Sequence, residues 1–237
     1  MKVAFRNFFR NKAVNLTMKS VRYFLPETEF YCASFFKDSK LEYEKEEPLD
    51  SCIRNTYFQT KYVYDGGASP DHSDDSLTSG FGNLANGFIF SEGYNAVYEL
   101  FRNEEEKVLI LAEDHLFTTG VVLKELIDND FDLALAPWDY GFNGSILCIR
   151  PARLPHVFPI TDHAGRVEYV LSRNFQEKVP PERQYLIENR RQLNYFGDGF
   201  YTNSSEKISE AVEKLYKDGP FNIGCERGVN TDIKDKL

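Results

Sequence analysis

Sulfur is scarce in this chain and shows no pattern. Of 237 residues, four are cysteine and two methionine. Cys32, Cys52, Cys148 and Cys225 are scattered, with no CxxC pair and no histidine cluster beside them, so neither a zinc site nor a disulfide framework is indicated. They read as reduced, mostly buried thiols. Positive charge is also short: 28 Lys and Arg stand against 37 Asp and Glu, a formal net charge of −9. That balance argues against broad nucleic-acid binding and against an anionic membrane surface, so an anionic ligand needs local help from a metal or a few arginines. No apolar run approaches the roughly 20 residues of a membrane-spanning helix. The opening MKVAFRNFFRNKAVNLTMKS has no apolar stretch long enough for a signal peptide. A cytoplasmic protein without a transmembrane segment is the expectation. GxGxxG, GxxxxGK[ST] and GxSxG are all missing, which disfavours a dinucleotide fold, a P-loop and a Ser-His-Asp hydrolase. There is no internal repeat.

Aromatic side chains are plentiful, with 20 Phe and 14 Tyr against one Trp. Many must be core, and tyrosines also suit polyhydroxylated ligands, whose C–H faces pack on rings while hydroxyls find polar partners. The length fits one large α/β domain or two small ones, and no linker interrupts it, which favours one.

Periodicity supplies an order of elements. Lys2 to Phe5 reads as a first strand, residues 6–12 as a basic loop, and 13–24 as a helix with Val14, Leu16, Val21 and Phe24 apolar and Pro26 ending it. Residues 29–36 form a second strand, a βαβ beginning. Residues 37–58 are charged and irregular, and 60–64 resemble a short strand. The Gly, Ser, Asp and Asn of 65–87 suggest a long ligand loop. A helix follows over 89–102, a buried strand over Val108 to Ala112, a helix over 119–128, and strands over 131–137 and 146–149. Helices are expected at 180–196 and 204–218, and the last 17 residues read as a tail or a returning strand.

Several groups of residues could carry chemistry. Arg6, Arg10 and Lys12 follow strand one, where guanidinium groups and the amides of a helix N-terminus suit a diphosphate; a solvated basic loop has the same pattern. The run Val108-Leu109-Ile110-Leu111-Ala112 ends on Glu113-Asp114-His115. In open α/β sheets ligands bind at the carboxyl ends of strands, and two carboxylates with an imidazole suit Mn²⁺ or Mg²⁺. Acidic residues are also common there simply as solvated helix caps. Strand alternation puts Glu113 and His115 on one face and Asp114 on the other, unless the turn has begun. Ser91-Glu92-Gly93-Tyr94-Asn95 opens a helix after an Asn-rich loop, and Asp139 to Ser145 lies between two apolar strands, where Asn143-Gly144 is a strong turn signal. His72, His156 and His163 read as surface residues.

The first strand with KVAFRNFFRNK, the Asn/Gly-rich segment running into SEGYN, the apolar strand ending in EDH, and WDYGFNGSILCIRP together resemble a glycosyltransferase of the GT-A fold, over roughly residues 1 to 155. The resemblance implies a Rossmann-like α/β domain whose mixed, mainly parallel central sheet is flanked by helices. It implies a nucleotide-sugar-binding half over 1–118, and an acceptor-side half with C-terminal helices over 119–237. Such a hexosyl- or pentosyltransferase would use a nucleotide-sugar donor and a glycan, lipid-linked or protein-linked acceptor, in polysaccharide biosynthesis, without nucleic acid. By the same resemblance Asp114 and His115 would hold Mn²⁺ or Mg²⁺. Arg6, Arg10, Lys12, Asp65, Asn95, Glu113 and Asn143 would contact the donor. Asp139 would act as the base, with Glu92 and Asp198 behind it. The family motif is Glu-Asp-Asp where this chain has Glu113-Asp114-His115, which leaves a metal-independent enzyme open, as well as a non-catalytic carbohydrate-binding or assembly protein. A sugar-phosphate nucleotidyltransferase would carry glycine in its first loop, and this one has none.

Overall fold

The computed structural model describes residues 1–7, 11–35, 48–58, 92–112, 115–117, 120–138, 141–161, 173–175, 177–187 and 193–195. Nine strands and three longer helices are found among these residues: β1 (Lys2–Asn7), α1 (Asn11–Phe24), β2 (Phe30–Phe35), β3 (Ile53–Phe58), α2 (residues 92–101), β4 (Val108–Ala112), β5 (His115–Phe117), α3 (Val121–Asp128), β6 (Leu133–Trp138), β7 (Gly141–Ile149), β8 (Gln184–Leu186) and β9 (Leu193–Tyr195).

Seven of the strands form one sheet in the order β3-β2-β1-β4-β7-β6-β8, and β5 pairs with β9 in a separate two-stranded sheet. β1 pairs in parallel with both β2 and β4, β2 with β3, and β6 with β8, while β7 runs antiparallel between β4 and β6. This is the expected α/β class with a mixed, mainly parallel sheet. Strands from both halves of the chain share the one sheet.

Burial on both faces explains why the central strands are continuous apolar runs. On one face Val14, Met18 and Val21 of α1 and Val122, Leu123 and Leu126 of α3 pack against Val3, Phe5, Leu109, Leu111 and Cys148. On the other, Tyr94, Val97, Tyr98 and Phe101 of α2, with Leu154, Phe158 and Phe175, cover Ala4, Val108, Ile110, Leu147 and Ile149. Successive residues of β1 and β4 thus alternate between the two layers. Gly120 precedes α3 where a Cβ would come within 3.0 Å of the Phe24 ring, so the end of α1 and the start of α3 meet only across a glycine.

Three sequence expectations change. β1 extends to Asn7 and α1 begins at Asn11, so Arg6 belongs to the strand and Lys12 to the helix rather than to a loop. β3 occupies 53–58, a stretch read as irregular, because an edge strand with only Ile53 buried has almost no apolar signal. The helix expected over 180–196 is replaced by β8 and β9; its described residues include a 3-10 turn at Pro181–Arg183 and two three-residue strands, too short for a period to register. The expected strand at 60–64, the loop 65–87 and the helix at 204–218 lie outside the described residues.

Charged groups gather at the amino edge of the sheet. Arg183 places Nη2 and Nε on the two Asp132 oxygens, at 2.7 and 2.9 Å, and Nη1 on Asp130 at 3.0 Å. Arg150 also pairs with Asp130, at 2.8 Å. Lys2 pairs with Glu104. Lys107 donates to the carbonyls of Leu126, Ile127 and Asn129 at 2.8, 2.9 and 2.5 Å, closing the C-terminal end of α3 with its three protons.

Leu111→Ala is expected to cost about 2–5 kcal/mol, as for other fully buried leucines, and Leu100→Ala at the surface less than about 0.5 kcal/mol. Urea unfolding with an unchanged m-value measures both. The hydrogen bonds from Arg183, against an opposing effect of burial, hold the Asp132 carboxyl below the usual carboxylate range. A depressed folded value stabilises above the unfolded pKa of about 3.9 and ceases to do so as pH falls through the folded one. Asp132→Asn should therefore lower the urea midpoint at pH 7, with the difference from wild type shrinking below about pH 4.

Candidate functional site

The chain leaves β1 for β2 on one side and, after β3 and α2, returns as β4 on the other. That reversal is a topological switch point, and the crevice outside the carboxyl ends of β1 and β4 is where such sheets take ligands. The register sets neighbours there: Arg6 lies opposite Ala112 on β4 and opposite Ala33 on β2, and Asn7 lies opposite Ser34.

Arg6 is only 3% exposed. It shares the layer of Ala4, and its guanidinium carbon lies 3.9 Å from the ring centroid of Tyr94 on α2. A buried cation stacked on a desolvated ring gains on the order of 2 kcal/mol, which ties the start of α2 to β1. In the sequence Tyr94 is one residue of the stretch that opens a helix; its pairing with a strand arginine 88 residues away has no local signal.

Asn7, fully buried on the other face, donates from Nδ2 to Asn11 Oδ1 at 2.7 Å and to Ser34 Oγ at 3.1 Å. Ser34 passes its own proton to Asn55 Oδ1 at 2.8 Å. An uncharged polar chain of hydrogen bonds thus runs from the end of β1 across β2 to the middle of β3 and holds the first turn of α1 against the sheet. The positive end of that helix faces the carboxyl edge.

Glu92 is half-buried at the first described position of α2. One turn on, Asn95 accepts from the Ile160 N–H at 2.7 Å and donates to the Ile160 carbonyl at 3.0 Å. Its amide takes the place of a backbone partner for residue 160 and fastens α2 to the segment beyond β7.

Glu113 and Asp114 connect β4 to β5 and lie outside the described residues, as do Arg10, Asp65 and Asp139 and the side chains of Lys12, His115 and Asn143. The backbone of His115 opens β5, opposite Tyr195 of β9. Asn143 lies within β7 rather than in a turn; the last hairpin pairing is Trp138 with Gly141, leaving 139 and 140 as the connection. No cluster of three His, Cys, Asp or Glu side chains suited to a metal occurs among the described residues. No described helix is long and apolar enough to cross a membrane.

No family model and no curated protein matches the chain. Solved structures similar to it include the glycosyltransferase GlyE of Streptococcus pneumoniae TIGR4, at 16% identity over 88% of this chain and 51% of that one, TM-score 0.45. The galactosyltransferase LgtC in complex with donor and acceptor sugar analogues matches at 14% identity over 81% and 74%, TM-score 0.44. An active-site mutant of LgtC matches at 15% over 96% and 85%, TM-score 0.49. The chain spans about half the length of GlyE. Each of these neighbours is named as a glycosyltransferase or is a variant of one.

Asn95→Ala strips partners from a backbone N–H and carbonyl at once and is expected to cost about 1–3 kcal/mol in urea unfolding. If the amide is a tie and not a ligand contact, nucleotide affinity measured below the unfolding transition stays at the wild-type value.

Proposed function

We propose that the chain is a glycosyltransferase that moves a sugar from a nucleoside-diphosphate sugar to an acceptor hydroxyl, with the donor lying across the carboxyl ends of β1 and β4. The reading is carried by the register that sets Arg6 beside Ala112, one residue before Glu113-Asp114, at the strand-order reversal. A cationic strand end beside a strand that runs in sequence into Glu113-Asp114 supports the reading, because a diphosphate and its counter-ion require both kinds of charge.

Two carboxylates and an imidazole are a donor set that fits Mn²⁺ or Mg²⁺, the imidazole favouring Mn²⁺. With Asp114 and His115 as ligands, a bound ion would supply positive charge to the departing diphosphate. Arg6, buried on Tyr94, contributes a fixed positive field at the strand ends. Arg10 and Lys12 are the cations for direct contact, and Asp65, Glu113 and Asn143 are the remaining donor contacts. In the transfer, the acceptor oxygen bonds the anomeric carbon as the bond from that carbon to the diphosphate oxygen breaks, the electron pair leaving with the diphosphate. Asp139 takes the hydroxyl proton in an inverting reaction, with Glu92 as the other carboxylate for that role. The acceptor is a saccharide or glycoconjugate, and the transferred group a hexosyl or pentosyl unit, as in polysaccharide assembly.

Titration calorimetry with UDP, GDP, CDP and dTDP, each with and without Mn²⁺, tests the reading. One nucleotide is expected to bind, with the metal. Asp114→Ala and His115→Ala should each weaken that binding on the order of tenfold or more without lowering the thermal midpoint. Binding indifferent to metal would move the diphosphate to the basic residues alone. Failure of every nucleotide to bind would overturn the enzyme reading in favour of a carbohydrate-binding protein, a role compatible with His115 where the resembled motif has Asp.

A further inference from the structure

We infer that Asn55, an exposed residue of the edge strand β3, is a positioning residue for the start of α1: as the terminal acceptor of a one-way chain of hydrogen bonds, it fixes which way the buried amides of Asn7 and Asn11 face. The inference rests on the donor reading for its purpose, because Arg10 and Lys12, proposed above to contact the diphosphate, flank Asn11 in sequence. Asn7 gives two protons from one nitrogen, to Asn11 Oδ1 at 2.7 Å and to Ser34 Oγ at 3.1 Å. A hydroxyl that accepts has one proton left to give, and buried Ser34 gives it to Asn55 Oδ1 at 2.8 Å.

The direction of the chain depends on the acceptor at its end. With a donor at 55, the Ser34 proton would turn to Asn7, which would then present Oδ1 to it and take a further proton from Asn11 Nδ2. The two arrangements differ by half-turns of planar amides whose oxygen and nitrogen fill nearly the same space, so packing does not distinguish them and the hydrogen-bond partner at 55 does. With an apolar side chain at 55, the Ser34 proton either goes unpaired or turns on Asn7 and reverses both amides, and neither preserves the present grip on the first residue of α1. Asn15, one turn on along the same face of the helix, is tied separately: it accepts from the Asp50 N–H at 2.8 Å and donates to the Pro48 carbonyl at 3.0 Å. A change at 55 therefore acts on the first turn and leaves the next one held.

Amide exchange followed residue by residue on the full chain, beside calorimetric titration with UDP, GDP, CDP and dTDP, tests this, since local units open separately from the global transition. Asn55→Leu keeps the bulk and removes the acceptor. In it the amides of Asn15 and Leu16, whose helical partners are the carbonyls of residues 11 and 12, should exchange about three- to tenfold faster, the weight of one hydrogen bond. The dissociation constant of the nucleotide that the wild type binds should rise by a similar factor, while Val108–Ala112 exchange at the wild-type rate. Asn55→Asp, which can only accept, should return both readings to within about twofold of wild type at about 0.15 M salt. On a Ser34→Ala background, Asn55→Leu should add nothing, because the link it acts through is already gone. No acceleration in Asn55→Leu, the same acceleration in Asn55→Asp, an equal factor in β4, or full additivity with Ser34→Ala would each overturn the inference, as would the expected exchange pattern with nucleotide affinity unchanged. Failure of the wild type to bind any of the four nucleotides would strike the donor reading instead, and the exchange pattern alone would then uphold or overturn the positioning of α1 by Asn55.

Discussion

A parallel strand cannot be joined to its neighbour by a tight turn, and β1 has a parallel neighbour on each side. The chain must cross the sheet through α1 to reach β2, and through β3 and α2 to reach β4, so helices cover both faces and the central strands are buried on both. That burial requires apolar residues at consecutive positions, as in Val108-Leu109-Ile110-Leu111. It also aligns the carboxyl ends of β1 and β4 at one edge, where the crossovers diverge and leave a crevice. Fold and candidate site are two results of the same pairing.

Charge is distributed accordingly. The amino edge carries paired ions, Arg183 and Arg150 with Asp130 and Asp132, and Lys2 with Glu104, which neutralise each other and serve cohesion. The carboxyl edge is organised differently. Among the described residues its polar groups are the uncharged relay of buried Asn7 and Ser34 with exposed Asn55, and a buried guanidinium stacked on an aromatic ring.

What the sequence discloses tracks how much of each element is buried. Doubly covered β4 and the helices α1 and α3 stand out because their apolar positions are consecutive or at helical spacing. β3, with a single buried residue, and β8 and β9, with three residues each, are hidden because pairing by backbone and by ions leaves no periodic trace. At the site, Arg6 and the acidic strand end were visible as residue types, but their adjacency is a register, a long-range property that local pattern does not encode. Asn95 illustrates the converse: a polar residue at a promising helix start whose amide is engaged with the backbone of residue 160.

β7 continues after its last pairing with β4, Leu111 with Ile146, so that residues 141–145, together with the end of β6, stand beyond the floor of the crevice by roughly 17 Å at strand rise. A register irregularity between Leu135 and Pro137 lies at the base of this overhang. Bulges bend a strand and shift the phase of its alternation, so one extra residue there decides both the lean of the hairpin and which of its side chains look inward. Among the described residues the carboxyl edge thereby has a floor of strand ends and one raised hairpin. An insertion or deletion at 136 would shift the phase of alternation along the whole hairpin beyond it while leaving the pairing of β1 with β4 as it is, so the raised hairpin and the floor can change independently of each other.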